Sequence, residues 1–317
     1  MSLVDWSLSA AKAFQIQRFL CFYLMLALIV GLFSNGLIVL VTLKTRSLRR
    51  PCNILIAIQA VMDILTTFGH PPFVYFIFTE TLIPFSECYI YQFLPCTGMN
   101  ITTALMVAIG VDRYLSIKYP TKYRKWSPTL YISLMMLGCI LYDVLVKVMG
   151  YVTLTDDPVI CLIADAYYGI GKDFWVFSEV VINVFVLIVY QKIRQEMKKM
   201  STSTMKSHTE NIMASLYIIV FFYIFGWLTT MCLLGTLRVL TTEANLVVTA
   251  ELASGLFANL NMTIPAFVYF SRSVAYKNAL KSLLGKDKVG TVGVSVVTSN
   301  QKGTSSRTGQ AATISDC

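Results

Sequence analysis

Residues 101–125 read ITTALMVAIGVDRYLSIKYPTKYRK, an apolar run that closes on Asp112 and Arg113 and is followed by four cations, Lys118, Lys122, Arg124 and Lys125. A helix needs about 20 apolar residues to cross a bilayer, and inside hydrocarbon every backbone polar group has to be satisfied within the segment. Taken back to Cys88, the run from Cys88 to Ile117 is long enough, and its charged end marks where hydrocarbon gives way to water. Six other stretches share this character: Phe19 to Leu43, Asn53 to Phe78, Pro128 to Gly150, Phe174 to Ile193, Ile212 to Leu237 and Leu246 to Phe270. Together they occupy more than half of the 317 residues, and the chain is 56% hydrophobic and only 14% charged, whereas soluble domains run nearer a quarter charged. The expected fold is an all-α membrane protein, a seven-transmembrane helix bundle.

The net charge of +9 is distributed as a membrane protein requires and gives no support to nucleic acid as a partner. Three loops on one side carry four Lys/Arg (Lys44, Arg46, Arg49, Arg50), four (Lys118, Lys122, Arg124, Lys125) and five (Lys192, Arg194, Lys198, Lys199, Lys206). The opposite loops carry Lys172 and Arg238. The positive-inside rule then puts the amino terminus outside and the carboxyl tail in the cytosol, with Lys12 and Arg18 a minor contradiction. No signal peptide is expected; the first apolar run serves as a signal-anchor. Residues 1–18 form a short extracellular amino terminus, 19–270 the membrane domain and 285–317 a disordered cytosolic tail rich in Ser, Thr and Gly. Residues 271–284 set Val274, Leu280, Leu283 and Leu284 against Arg272, Lys277 and Lys281, the pattern of a short amphipathic eighth helix on the inner surface.

This topology sorts the eight cysteines. Cys21, Cys52, Cys96, Cys139 and Cys232 fall in or at the ends of spans, and Cys317 in the tail. Cys88 and Cys161 alone share the oxidising side, so a single disulfide between them is expected. The residues of catalysis are mostly missing: two histidines, His70 and His208, no CxxC pair and no phosphate-binding glycine loop. No enzyme, metal centre or cofactor is expected, a sodium ion excepted. His70, beside Pro71 and Pro72, is expected to accompany a kink. The Asn100 and Asn261 sequons lie inside spans and are expected to be unused.

The string from Asp112 to Tyr123, DRYxxIxxPxxY, resembles that of the rhodopsin-like G-protein-coupled receptors. Asn35 within SNG, Asp63 after Ala60, Cys88 twenty-five residues before Arg113, and Tyr190 with Ile193 fall in register with it. SNGLIVLVTLKTRSLRRPCNILIAIQAVMDIL from Ser34, GHPPFVYF from Gly69 and IGVDRYLSIKYP from Ile109 are similar to the nematode serpentine chemoreceptors of the srsx class. The chain departs from the broad pattern in four spans. Span five lacks a proline near Ile182, span four lacks its tryptophan, and span six has Trp227 without a proline two residues later. In span seven Tyr269 follows Pro265 by four residues, where three is usual.

The resemblance implies a plasma-membrane, multi-pass receptor that takes an extracellular small molecule and activates a heterotrimeric G protein, with arrestin and a receptor kinase acting at the tail. A neuropeptide receptor of the same fold is the alternative, and a channel or transporter is the rival from another class. Asp112, Arg113, Tyr114, Pro120, Tyr190, Trp227, Pro265 and Tyr269 are the expected activation and coupling residues. Asp63, with Asn35, Thr102 and Asn261, forms a polar core in which the acid either is protonated or shares a sodium ion. Asp143 and Lys147 are spaced to pair along span four. Pro95, Met99, Asn100, Glu179, Trp227, Thr230, Met231 and Glu251 are the candidate ligand contacts. Pro95 stands where amine receptors carry aspartate, which disfavours amines, and the last span has no lysine for a retinal Schiff base.

Overall fold

The computed structural model describes residues 9–199, 217–218, 220–240 and 243–285. Expectations for His208, for the start of span six at Ile212 and for the tail beyond Gly285 lie outside the described residues. The long helices are Ala10–Lys44, the pair Pro51–Thr67 and His70–Thr79, Phe93–Lys118, Pro128–Val152, Gly169–Lys198, the segment that ends in Thr229–Leu240, and Ala244–Arg272, here spans one to seven. Spans one to six are long and apolar enough to cross a membrane. Span seven has the length, 29 residues, but buries Glu251, Asn259 and Asn261 in the bundle. It needs an apolar surface only where it meets lipid.

Span three is the axis of the bundle. Its most apolar stretch is 72% buried in protein, against 22% for span four, so span four faces mostly lipid, with Leu130, Leu134, Leu137, Leu141 and Val148 exposed. The close approach that centres span three comes from Gly98. A Cβ there would lie 2.4 Å from the Met62 carbonyl oxygen of span two, so the two backbones meet without a side chain between them. Spans six and seven meet in the same way at Gly226, where a Cβ would come within 2.6 Å of the Phe257 carbonyl.

Two expected spans are broken. Span two is interrupted at Phe68 and Gly69 and restarts at His70, with proline in its first turn. Proline has no N–H for the preceding turn, and its ring leaves the helix start as the natural place for it. The break therefore falls just ahead of the histidine expected to accompany a kink. At the outer end of span three, Gln92 separates a short helix, Phe85–Tyr91, from Phe93–Lys118, so Cys88 sits on the short helix. Span one begins at Ala10, nine residues before its expected start, and at 35 residues it is roughly 52 Å long, more than a bilayer core requires.

The second outer loop is tied down at several points. A two-residue strand, β1 (Ile83–Pro84), pairs antiparallel with β2 (Pro158–Val159). Ser86 Oγ donates to Asp156 at 2.9 Å. Cys88 and Cys161 are bridged, with Cα atoms 5.3 Å apart. Cys52 is disulfide-bonded as well, where a single bridge was expected. That expectation excluded Cys52 by its side of the membrane, which says nothing about which sulfur lies near it. The eighth helix, Val274–Leu283, starts at Ser273, whose Oγ accepts from the Tyr276 N–H. It buries Tyr276 and Ala279 against the bundle and leaves Val274 exposed, so Val274 is not part of the face that meets protein.

Candidate ligand cavity and inner ion pair

A cavity of about 60 Å³ lies in the outer half of the bundle, lined by spans one, two, three, five, six and seven and roofed by Leu162, Ile163 and Ala164 of the second outer loop. Five of the eight expected contacts line it: Met99, Trp227, Thr230, Met231 and Glu251. The other three do not. Pro95 packs beside Gly69 at the break in span two. Asn100 Nδ2 donates to Asp143 Oδ1 at 2.9 Å and to the Tyr167 hydroxyl at 3.0 Å. Glu179, fully buried, accepts from Tyr142 at 3.3 Å. Helical spacing placed these residues at the right depth; the rotation of each helix, set by packing, turned them elsewhere.

Two features of the cavity escaped the sequence. His70 lines it and is bonded, Nε2 to Asn259 Oδ1, at 2.7 Å. The Asn259 amide nitrogen donates to the Gly255 carbonyl at 2.9 Å, which fixes Oδ1 toward the imidazole, so Nε2 is the nitrogen that carries hydrogen. The only available signal was a histidine within a span. The second feature is Lys172, expected in an outer loop but buried in the first turn of span five. Its ammonium meets Asp165 of the loop and Glu251 of span seven, each at 2.9 Å. One cation thus joins the roof, span five and the cavity-lining acid of span seven. Nothing local marks the three residues as partners.

Below the cavity, Thr102 Oγ1 donates to Asp63 Oδ1 at 3.0 Å, as expected. Asn35 and Asn261 are drawn to backbone instead. Asn35 Nδ2 donates to the Met262 carbonyl at 2.7 Å and Asn261 Nδ2 to the Tyr223 carbonyl at 3.4 Å. Both asparagines hold span seven to its neighbours, Asn35 from span one and Asn261 toward span six. The Asp143–Lys147 pair forms at 3.3 Å. Both sequon asparagines are buried.

At the inner end of span three the Arg113 guanidinium donates to Asp112 Oδ2 at 2.7 Å, and both side chains are buried. The second carboxylate oxygen accepts from the Tyr123 hydroxyl at 2.6 Å. Tyr123 lies on a single turn, Pro120–Tyr123, after span three, and its phenol is pushed above the ordinary range by burial and then by the charge of Asp112, so it remains a donor. Pro120 starts that turn, and Tyr114 accepts from Lys118 at 2.6 Å. Tyr190 is buried against Gly110 and meets Tyr217 edge to face, with ring centroids 6.3 Å apart. The Tyr269 ring packs tilted against Tyr276 of the eighth helix, with centroids 5.2 Å apart, and the Tyr276 and Thr42 hydroxyls are 3.4 Å apart. Pro265 stays inside a continuous helix, and Trp227 lies in a π-helical turn, Ile224–Leu228, under the cavity. Such turns insert a residue and reorient the side chains around them.

A seven-helix bundle with a roofed outer cavity and an Asp-Arg-Tyr pair at the inner end of its central helix has the build of the rhodopsin-like G-protein-coupled receptors. Residues 28–284 match the family described as the serpentine type 7TM GPCR chemoreceptor Srsx, and the chain belongs to that family. It is 28% identical over 145 residues to the visual pigment-like receptor peropsin of Homo sapiens, covering 43% of this chain and 42% of that protein. It is 24% identical over 144 residues to neuropeptide Y receptor type 1 of Xenopus laevis, covering 45% and 39%. With the sex peptide receptor of Drosophila melanogaster it shares 31% over 108 residues, 31% of this chain and 25% of that one. The chain thus spans less than half the length of these relatives.

Proposed function

We propose that this receptor takes an extracellular small molecule into the roofed cavity and, in response, promotes nucleotide exchange on a cytosolic heterotrimeric G protein. It works in the plasma membrane with its amino terminus outside. The observation that carries the reading is that one rigid helix bears both ends of the machine. Met99 lines the cavity and Arg113 is held by Asp112, and their separation of fourteen positions amounts to roughly 21 Å of helix. In the resting state Asp112 and Tyr123 hold the inner end closed. A ligand that binds a rotated or displaced span three more tightly shifts the population toward a state in which Arg113 is released and Tyr190 and Tyr269 repack around an opened inner cavity.

The alternative, a peptide ligand, is favoured by the neuropeptide and sex peptide receptors among the relatives but disfavoured by a small cavity lying beneath a pinned loop. A channel or transporter is disfavoured because paired charges, Lys172 with Asp165 and Glu251 and then Arg113 with Asp112, stand at the two ends of the bundle in place of a polar path. The tail, with its many Ser and Thr residues, is the natural substrate for a receptor kinase and then a docking site for arrestin. The test of the central reading is ligand-dependent nucleotide exchange by the purified receptor on a panel of G-protein subtypes, with small molecules and peptides compared. Exchange driven by peptides alone would overturn it.

A further inference from the structure

The chemistry of the cavity wall narrows the class of ligand. By volume the space has room for roughly four to six water-sized groups. Its surface is supplied mainly by Leu24, Met99, Trp175, Met231, Leu252 and Met262. Its polar members are already engaged: Thr230 Oγ1 donates to the Gly226 and Ser254 carbonyls at 2.8 and 2.9 Å, Thr66 to the Met62 carbonyl at 2.9 Å, and Glu251 is held by Lys172. A charged ligand would have to leave water for a mainly apolar wall whose one acid shares the single Lys172 ammonium with Asp165, and an anion would in addition meet the acid's unneutralised charge, which is costly.

His70 is the acceptor left open among the polar groups; the Trp175 indole N–H, also without a partner among the described residues, can only donate. With Nε2 donating to Asn259, the neutral imidazole keeps a lone pair on Nδ1, and no donor to Nδ1 is found among the described residues. Gly255 supplies the room: it lines the cavity, and a Cβ built on it meets no atom within 4 Å.

We propose that the cavity takes a small, uncharged, largely apolar molecule bearing one hydroxyl, which donates to His70 Nδ1, and that Gly255 sets the size limit. This rests on the cavity being the receptor's ligand site. The test uses the full-length receptor in nanodiscs and four probes of similar size: 1-butanol, butanone, butylamine and butyrate. Binding is followed by fluorescence of the cavity tryptophans and by thermal stability. The expected order is 1-butanol first, then butanone, with the two charged probes at least ten-fold weaker. Gly255→Val should abolish binding, Gly255→Ala should weaken it, and the unliganded thermal stability of each variant is the control for folding. His70→Phe should bind 1-butanol no better than butanone.

Charged probes binding as well as the alcohol, no saturable signal from any of the four, or unchanged binding by Gly255→Val would each overturn the proposal. Because the readout is binding, its failure is distinguishable from that of the receptor reading, which is judged by nucleotide exchange.

Discussion

The two ends of the bundle are stabilised by opposite strategies. At the inner end the central ion pair joins neighbours in the chain, Asp112 and Arg113, with Tyr123 eleven residues on. At the outer end Lys172 pairs with Asp165 and with Glu251, the latter 79 residues from it, and Cys88 is bridged to Cys161 across 73. A local pair can be made and broken by a small rotation at one helix end, with little else disturbed. A pair spanning the loop, span five and span seven can break only if those elements separate. The inner end is therefore suited to switching and the outer end to holding a cavity of definite shape.

The largest expected effect follows from the proposed switch. Arg113→Ala should abolish nucleotide exchange while leaving surface expression and probe binding at the outer cavity nearly unchanged. Normal exchange in that variant would remove the functional distinction between the two ends.

Lys172→Ala should cost on the order of 3–5 kcal/mol of stability, since it leaves two buried carboxylates without their cation. Thermal unfolding in detergent should show this, and adding Asp165→Asn and Glu251→Gln should recover much of the loss. If the single variant melts like the parent, the outer end is not held as described.

Opening the bridge by Cys88→Ser should cost less, at most about 4 kcal/mol by loop entropy and lower still because the membrane confines both segments. Peptide mapping without reductant should find Cys88 joined to Cys161, and free thiols at both positions in surface-expressed protein would contradict the structure. The smallest effect is at the mid-membrane acid. If Asp63 and Thr102 share a sodium ion in the resting state, sodium should weaken agonist binding by linkage, and Asp63→Asn should remove that response. Identical sodium responses in parent and variant would leave the protonated acid bonded to Thr102 as the correct description.

Legibility in the sequence follows the same division. Asp112 with Arg113 and Asp143 with Lys147 are local patterns, and each pair forms where spacing put it; the apolar runs are local patterns too, and they show the spans but not the breaks at Gly69 and Gln92 or the early start of span one. Cys88 and Cys161 were recoverable despite their separation, because the membrane sorted the thiols by side. Thr102 reached Asp63 because both lie at similar depth on helices that meet at Gly98. Asn35 and Asn261 did not, since each had a nearer carbonyl to satisfy.

Composition and periodicity by themselves determined that the chain is a seven-helix membrane protein, and its inner Asp-Arg-Tyr string identified the receptor class. Hydrocarbon demands long apolar helices, and a sequence cannot supply them without showing it. Which residues face the cavity was decided only in the tertiary structure. Glu179 turned to Tyr142, Asn100 to Asp143, Lys172 into the roof and His70 to Asn259 because helix rotation is set by close contacts such as Gly98 on Met62 and Gly226 on Phe257. Those contacts depend on many side chains far apart in the chain, and no local pattern encodes the sum.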